Sequence, residues 1–250
     1  MIFSLPVFSS SEWALVALIG IFVGCSKAGL PGIGLLTVPL MTEVFSAKQS
    51  TGVLLPMLVI ADICAVIYYH RHADWKKLFP LFPPTILGII AGYLAMGEVN
   101  DQQFKVLIGV MIMVLGVIML LNKFGYIAKD KIPEGKYFAW AAGFLVGVTT
   151  MMANAAGPVA AIYLLALRMD KIEFIGTNAW FFLLINVFKL PFSYHLGFID
   201  SHSLNLNLME IPMIILGIFI GIKIVKKVSD KVFLFLVISL TFFSAFRLLM

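Results

Sequence analysis

The chain has 250 residues, of which 61 % are hydrophobic and only 12 % charged, with a mean hydropathy of +1.03 and a net charge of +5. A soluble domain carries about 25 % charged residues, so this composition excludes a water-soluble globular protein. Apolar runs of about 20 residues recur, which fits spanning helices and excludes a transmembrane barrel with its short alternating strands.

Met1 to Ser11 holds no Lys or Arg, so no cleaved signal peptide is expected and the first apolar segment is retained. Helical segments are predicted at 12–28, 31–43, 49–69, 78–97, 103–122, 137–152, 155–168, 172–194, 206–225 and 231–249. Segments 31–43 and 155–168 are too short to span comfortably. Trp13, Trp75 and Trp140 fall near segment ends, as interfacial anchors do. The loops at 70–77, 123–136 and 223–231 are rich in Lys and Arg, and those near 98–102 and 195–203 have none. Basic loops stay in the cytoplasm. This places segments 49–69, 78–97 and 103–122 in the opposite sense to 172–194, 206–225 and 231–249. The surplus charge is thus a topology signal, and nucleic acid is not an expected partner.

The halves also share a glycine pattern. Gly20 and Gly24 map onto Gly143 and Gly147 at an offset of 123 residues, and the same offset takes Gly34 to Gly157. Each copy runs from an apolar segment into a small-residue break, with Gly29, Pro31 and Gly32 in the first and Asn154, Gly157 and Pro158 in the second. Paired interrupted segments in two halves mark the binding site of a secondary transporter. The expected fold is an all-α polytopic membrane protein built from two inverted repeats. Residues 1–122 form the first repeat, with a broken-helix or re-entrant hairpin at 12–43 and three transmembrane helices. Residues 123–136 form a cytoplasmic linker. Residues 137–250 form the second repeat, with its hairpin at 137–168 and three further helices.

Charge inside the spans is costly and usually marks a pathway. Lys27, Asp62 and Lys189 are the clearest cases. Each also has a local reading: helix-end compensation for Lys27, pairing with a cation for Asp62, and snorkelling for Lys189. A helix that starts after a break offers free N–H groups and a positive dipole end. Two such ends, near Gly32 and Gly34 and near Gly157, with Lys27 and Lys189 beside them, suit a small anion. Asn154, Thr177, Asn178 and Asn186 supply further polar groups, and Asp62 and Asn186 stand 124 residues apart, close to the repeat offset. Asp62 is the candidate carrier for a coupling proton. The glycines allow a second reading, close helix packing, whereas Gly88 reads as an ordinary spanning position tolerant of a side chain. Cys25 and Cys64 read as small buried residues. His70 and His72 read as part of an interfacial loop. No catalytic, metal or cofactor motif is present, so no enzyme is expected.

The run Gly24-x-x-Lys27-x-Gly29-x-Pro31-Gly32-x-Gly34 resembles the TauE/SafE sulfite-exporter family of membrane permeases. So do Gly143-x-x-x-Gly147, Asn154-Ala-Ala-Gly157-Pro158, Gly176-Thr177 and Asn186-Val-Phe-Lys189 in the second half. The resemblance covers nearly the whole chain. It implies secondary transport, with export the expected direction, of sulfite or a small organosulfur anion such as a sulfonate across a bacterial inner membrane. Another small carboxylate or inorganic anion is the alternative cargo, and an intramembrane enzyme or a membrane assembly factor is the less expected class.

Overall fold

A computed structural model describes residues 8–28, 33–123, 135–167, 169, 171–227 and 246. The described residues contain helices and no strands. The long helices are α1 (Ser10–Lys27), α3 (Ala47–Tyr69), α5 (Phe82–Glu98), α6 (Asp101–Lys123), α7 (Lys136–Ala153), α9 (Lys171–His195) and α10 (Ser201–Lys227). Between them lie the short α2 (Gly34–Met41), α4 (Trp75–Leu78) and α8 (Gly157–Ala166). Five stretches among the described residues are long and apolar enough to cross a membrane: Ser10–Lys27, Ala47–Tyr69, Trp75–Glu98, Glu173–His195 and Ser201–Lys223. The expected segment 231–249, the basic residues Lys129 and Lys131, and the break residues Gly29, Pro31 and Gly32 lie outside the described residues.

Local chemistry sets the helix ends. Ser9 caps α1 in a reciprocal box with Glu12: Glu12 N–H donates to Ser9 Oγ at 3.3 Å and Ser9 N–H to Glu12 Oε2 at 2.7 Å. Asp101, the first residue of α6, accepts from the Ala47 and Lys48 N–H groups that open α3, placing a carboxylate at that helix's positive end. The segment expected at 78–97 begins earlier. Asp74 accepts from the Lys76 and Lys77 N–H groups to start α4, a single 3-10 turn follows over Phe79–Leu81, and Pro83 and Pro84 sit in the first turn of α5, where a missing N–H costs nothing. Asn154 ends α7 with φ 48°, ψ 27°, a left-handed conformation that Asn tolerates better than most residues.

Helix α2 has 8 residues and α8 has 10, lengths of about 12 and 15 Å. Neither crosses about 30 Å of hydrocarbon by itself. Each instead turns back on the long helix before it, α2 on α1 and α8 on α7.

Two helix crossings dominate the packing, α1 with α10 and α5 with α7. Both run parallel. Along the first, Gly24 meets the Ile214 carbonyl and Gly221 meets Cys25 and Ala28. Along the second, Gly143 meets Leu81 and Pro84, and Gly92 meets Met151. A Cβ at Gly24, Gly88, Gly147 or Gly217 would overlap the neighbouring backbone. These glycines are therefore helix-packing contacts. That corrects the expectation for Gly88: a methyl there would overlap the Phe144 carbonyl oxygen and come within 2.9 Å of Gly147 Cα. The spanning pattern concealed a crossing that only the tertiary fold creates.

Candidate functional site

The breaks of the two short hairpins face one cavity of about 240 Å³. The end of α1 contributes Ser26 and Lys27, and the start of α2 contributes Gly34 and Leu35. The end of α7 brings Thr150, Asn154 and Ala155, and the start of α8 brings Gly157 and Pro158. Asn178, Phe182 and Asn186 from α9 close one side, and Leu58 and Ala65 from α3 another. No Asp or Glu is among the lining residues.

Both short helices begin at this cavity. The residue preceding α2, Ile33, makes no side-chain capping bond. The N–H groups of the first turn have no intrahelical acceptor, and those of Gly34 and Leu35 meet no backbone acceptor outside the helix among the described residues. At α8, Pro158 occupies the first turn and has no N–H to leave unsatisfied. Among the described residues, a Cβ built on Gly157 meets nothing within 4 Å, and one on Gly34 reaches Ser26, at 3.6 Å. The absence of side chains at these two positions keeps the helix ends open.

Behind the cavity wall runs a continuous polar chain linking the two halves. Lys27 Nζ lies 2.8 Å from Asp62 Oδ1 and 4.4 Å from the centre of the Phe182 ring, so it has a carboxylate on one side and an aromatic face on another. Asn186 Nδ2 donates to Asp62 Oδ2 at 2.6 Å. Lys189 Nζ donates to Asn186 Oδ1 at 3.1 Å, to Asn154 Oδ1 at 2.7 Å and to Thr150 Oγ1 at 3.0 Å. Asn154 Nδ2 passes the chain on to the Thr51 carbonyl at 2.8 Å. The charged ends fix the Asn186 amide, because a carboxylate only accepts and an ammonium only donates.

Asp62 is fully buried and Lys189 is 1 % exposed. Lys189 therefore points inward, away from the snorkelling position. An ammonium with its three donors on Thr150, Asn154 and Asn186 is held in one place, and the left-handed turn at Asn154 sets one of those acceptors. Thus the break that ends α7 also positions the lysine of α9.

Of the residues singled out in the sequence, Lys27, Gly34, Asn154, Gly157, Asn178 and Asn186 line the cavity, while Asp62 and Lys189 stand in the chain behind it. Gly32 lies outside the described residues. Thr177 does not reach the cavity lining. It is buried on another face of the same turns of α9, where its Oγ1 accepts from the Asp74 N–H at 2.9 Å, and so anchors the loop that starts α4. Thr150 and Phe182 were missed by the sequence reading. Thr150 had a signal, since it lies 123 residues after Lys27, the same offset that relates the glycines. Phe182 had one too, four residues before Asn186 on the same helical face. His70 and His72 form a single 3-10 turn, and no group of three or more metal-binding side chains occurs among the described residues.

The family model for the sulfite exporter TauE/SafE matches residues 16–248. Neither the curated proteins nor the solved structures give a match. With 233 of 250 residues inside the match, and with apolar helices long enough to span a membrane, the chain belongs to the sulfite exporter TauE/SafE family of membrane permeases.

Proposed function

We propose that the chain is a secondary transporter, working as an exporter in a bacterial inner membrane, that carries sulfite or a small organosulfur anion such as a sulfonate by alternating access. The observation that carries this reading is the cavity between the two hairpin breaks: the starts of α2 at Gly34 and α8 at Gly157, the Lys27 ammonium in the wall, Lys189 behind it, and no Asp or Glu among the described lining residues. An oxyanion held there would accept from the N–H groups of Gly34 and Leu35 and from the amides of Asn178 and Asn186, with Lys27 as the nearest full charge. Lys189 would act through Asn154 and Asn186. The volume corresponds to about eight waters, room for a four- or five-atom oxyanion and part of its hydration shell. Phe182, Leu58 and Pro158 supply apolar wall, which suits a sulfonate's carbon end.

Lys27 and Asp62 together describe a switch. When the anion draws Lys27 toward the cavity, Asp62 loses its partner in a fully buried place. Proton uptake by Asp62 would relieve that cost, which makes Asp62 the candidate for coupling at the anion site. Alternating access would arise from the movement of one hairpin and its packed helix against the other such pair.

The test is calorimetric binding to the purified protein, followed by flux in proteoliposomes. Sulfite, sulfate, thiosulfate, alkyl sulfonates and small carboxylates should be compared. Sulfite or a sulfonate should bind at least tenfold more tightly than acetate and should exchange across the bilayer. Preferential binding of a carboxylate would replace the substrate class. Absence of any anion binding would remove the transporter reading.

A further inference from the structure

A second buried polar group lies in the first half of α10, away from the cavity. Glu210 is 4 % exposed and Asn207 is 2 % exposed. They are three residues apart and share a helical face. Among the described residues, Glu210 Oε2 and both amide atoms of Asn207 have no hydrogen-bond partner. Glu210 rests on α1, where a Cβ on Gly20 would stand 2.5 Å from Oε2. The missing side chain at Gly20 makes the space the carboxyl group occupies.

The site is separate from the anion cavity. Gly20 precedes Lys27 by seven residues, about 10 Å along α1, and none of Gly20, Asn207 or Glu210 lines the cavity. Glu210 is nine residues into α10, about 14 Å from its start, which is membrane depth.

The crossing itself does not need an acid. At the corresponding place in the α5–α7 crossing, Gly143 packs on Pro84 and the Leu81 carbonyl. The same small-residue geometry is achieved there without a buried carboxyl group. Nor is a counter-charge at hand among the described residues. Helix α10 packs on α1 and α3. Of their charged and titratable groups, Glu12 is bound to Ser9, Lys27 to Asp62 and Lys48 to the Met96 carbonyl. Cys25 donates to the Gly217 carbonyl, and Cys64, Tyr68 and Tyr69 lie in the distal half of α3. His202 and Lys223 occupy other turns of α10. None is joined to Glu210 by an ion pair or hydrogen bond among the described residues.

We propose that Glu210, with Asn207 one turn before it, is a proton-binding site distinct from the anion cavity, and that its loading and unloading couples anion movement to the proton gradient. This rests on the transporter reading. A carboxylate with one amide beside it and no ring of further oxygens is too poor a ligand set for a metal cation, but it is sufficient for a proton. Bound, the proton neutralises the carboxyl group among apolar helices, and the Asn207 amide, unpartnered like Glu210 Oε2, has a donor and an acceptor to offer it. Released, it leaves a carboxylate that requires water, so release belongs to a state in which water reaches Glu210 along the α1–α10 seam.

Two readouts on the full-length protein keep this proposal apart from the transporter reading. The first is the infrared difference spectrum across a pH titration, which reports carboxylic-acid groups whether or not anything is transported. A buried carboxylic-acid band should appear in wild type, persist in Asp62→Asn and vanish in Glu210→Gln. Asn207→Leu should shift that band's frequency and its titration midpoint. The second is sulfite flux in proteoliposomes. Glu210→Gln should retain sulfite–sulfite exchange within about twofold, because exchange moves no net proton, and should lose at least tenfold of the acceleration by a pH gradient. If Glu210→Gln misfolds, the midpoint shift in Asn207→Leu still decides the matter. A band that survives Glu210→Gln, a midpoint indifferent to Asn207→Leu, or undiminished gradient-driven flux in Glu210→Gln overturns the proposal. Loss of sulfite exchange in wild type, with the Glu210 band present, would instead remove the transporter reading.

Discussion

Lys27, Asp62, Asn186 and Lys189 form one electrostatic unit, and its behaviour under mutation differs from that of four separate contacts. Lys27 and Asp62 are joined at 2.8 Å with the carboxylate fully buried. Removing one member of such a pair leaves an unpaired charge and costs about 3–5 kcal/mol, whereas removing both costs far less. Lys27→Met should therefore lower thermal stability in detergent more than the double change Lys27→Met with Asp62→Asn. A double variant no more stable than the single would mean that Asp62 is compensated from elsewhere. Lys189 lends itself to a sharper comparison. Its three acceptors surround a single ammonium at 2.7, 3.0 and 3.1 Å. Lys189→Met should weaken sulfite binding at least tenfold. Lys189→Arg should fall between, since a planar fork does not reproduce three converging donors. Wild-type affinity in Lys189→Met would confine Lys189 to a structural part. The charges were legible in the sequence because so few occur inside apolar runs. That Lys27 takes Asp62 while Lys189 takes three neutral oxygens was not, because those partners come from α3, α7 and α9 and meet only in the folded chain.

At the level of helices, glycine does two different jobs, and spacing alone does not separate them. Gly20, Gly24, Gly143 and Gly147 share the repeat offset with Gly34 and Gly157. Yet the first four press against another helix, while Gly34 and Gly157 border open space. The sequence marked where the hairpins break, through Gly29-Leu-Pro-Gly32 and Asn154-Ala-Ala-Gly157. It did not reveal that Gly88 belongs to the crowded set, because Gly88 has no matching partner in the other half and its neighbour Phe144 is distant in sequence. The consequence is a division of phenotypes. Gly24→Ala, Gly88→Ala and Gly147→Ala should each reduce folded yield and lower the melting temperature, since even a methyl overlaps backbone. Gly157→Ala should fold normally, and Gly157→Val should fold but lose most sulfite affinity because the branched side chain enters the cavity. Folded yield by fluorescence size-exclusion chromatography, read beside calorimetric affinity, separates the sets. Equal losses of folded yield at Gly88 and Gly157 would cancel the distinction.

For the whole molecule, helix direction and charge can be read together. The parallel crossings put the start of α1 with the start of α10, and the start of α5 with the start of α7. Asp101 at the start of α6 caps the start of α3, and Tyr93 near the end of α5 bonds His195 at the end of α9 at 2.8 Å. One face therefore gathers Ser10, Ala47, Asp101, His195 and Ser201. The opposite face gathers the end of α3, the loop to α4 and the start of α9, joined by Thr177 to Asp74 and by Lys77 to Glu173 at 3.2 Å. Arg71, Lys76, Lys77 and Lys136 are at the second face, and acidic Glu12, Asp101 and Asp200 at the first. Basic residues stay in the cytoplasm, so the second face is expected inside and the two halves are expected to run in opposite senses. In a background with Cys25→Ala and Cys64→Ala, Asp200→Cys should react with a membrane-impermeant maleimide added to intact cells. Ala73→Cys should react only after the membrane is opened. The prediction is sensitive because the two positions lie at opposite ends of the α3–α9 pair, so an error in orientation exchanges both results at once. Labelling of Ala73→Cys from outside, with Asp200→Cys protected, would turn the molecule over. Labelling of both from outside would place both loops on one side of the membrane, which α9 crossing between them does not allow, and the inverted arrangement would have to be given up.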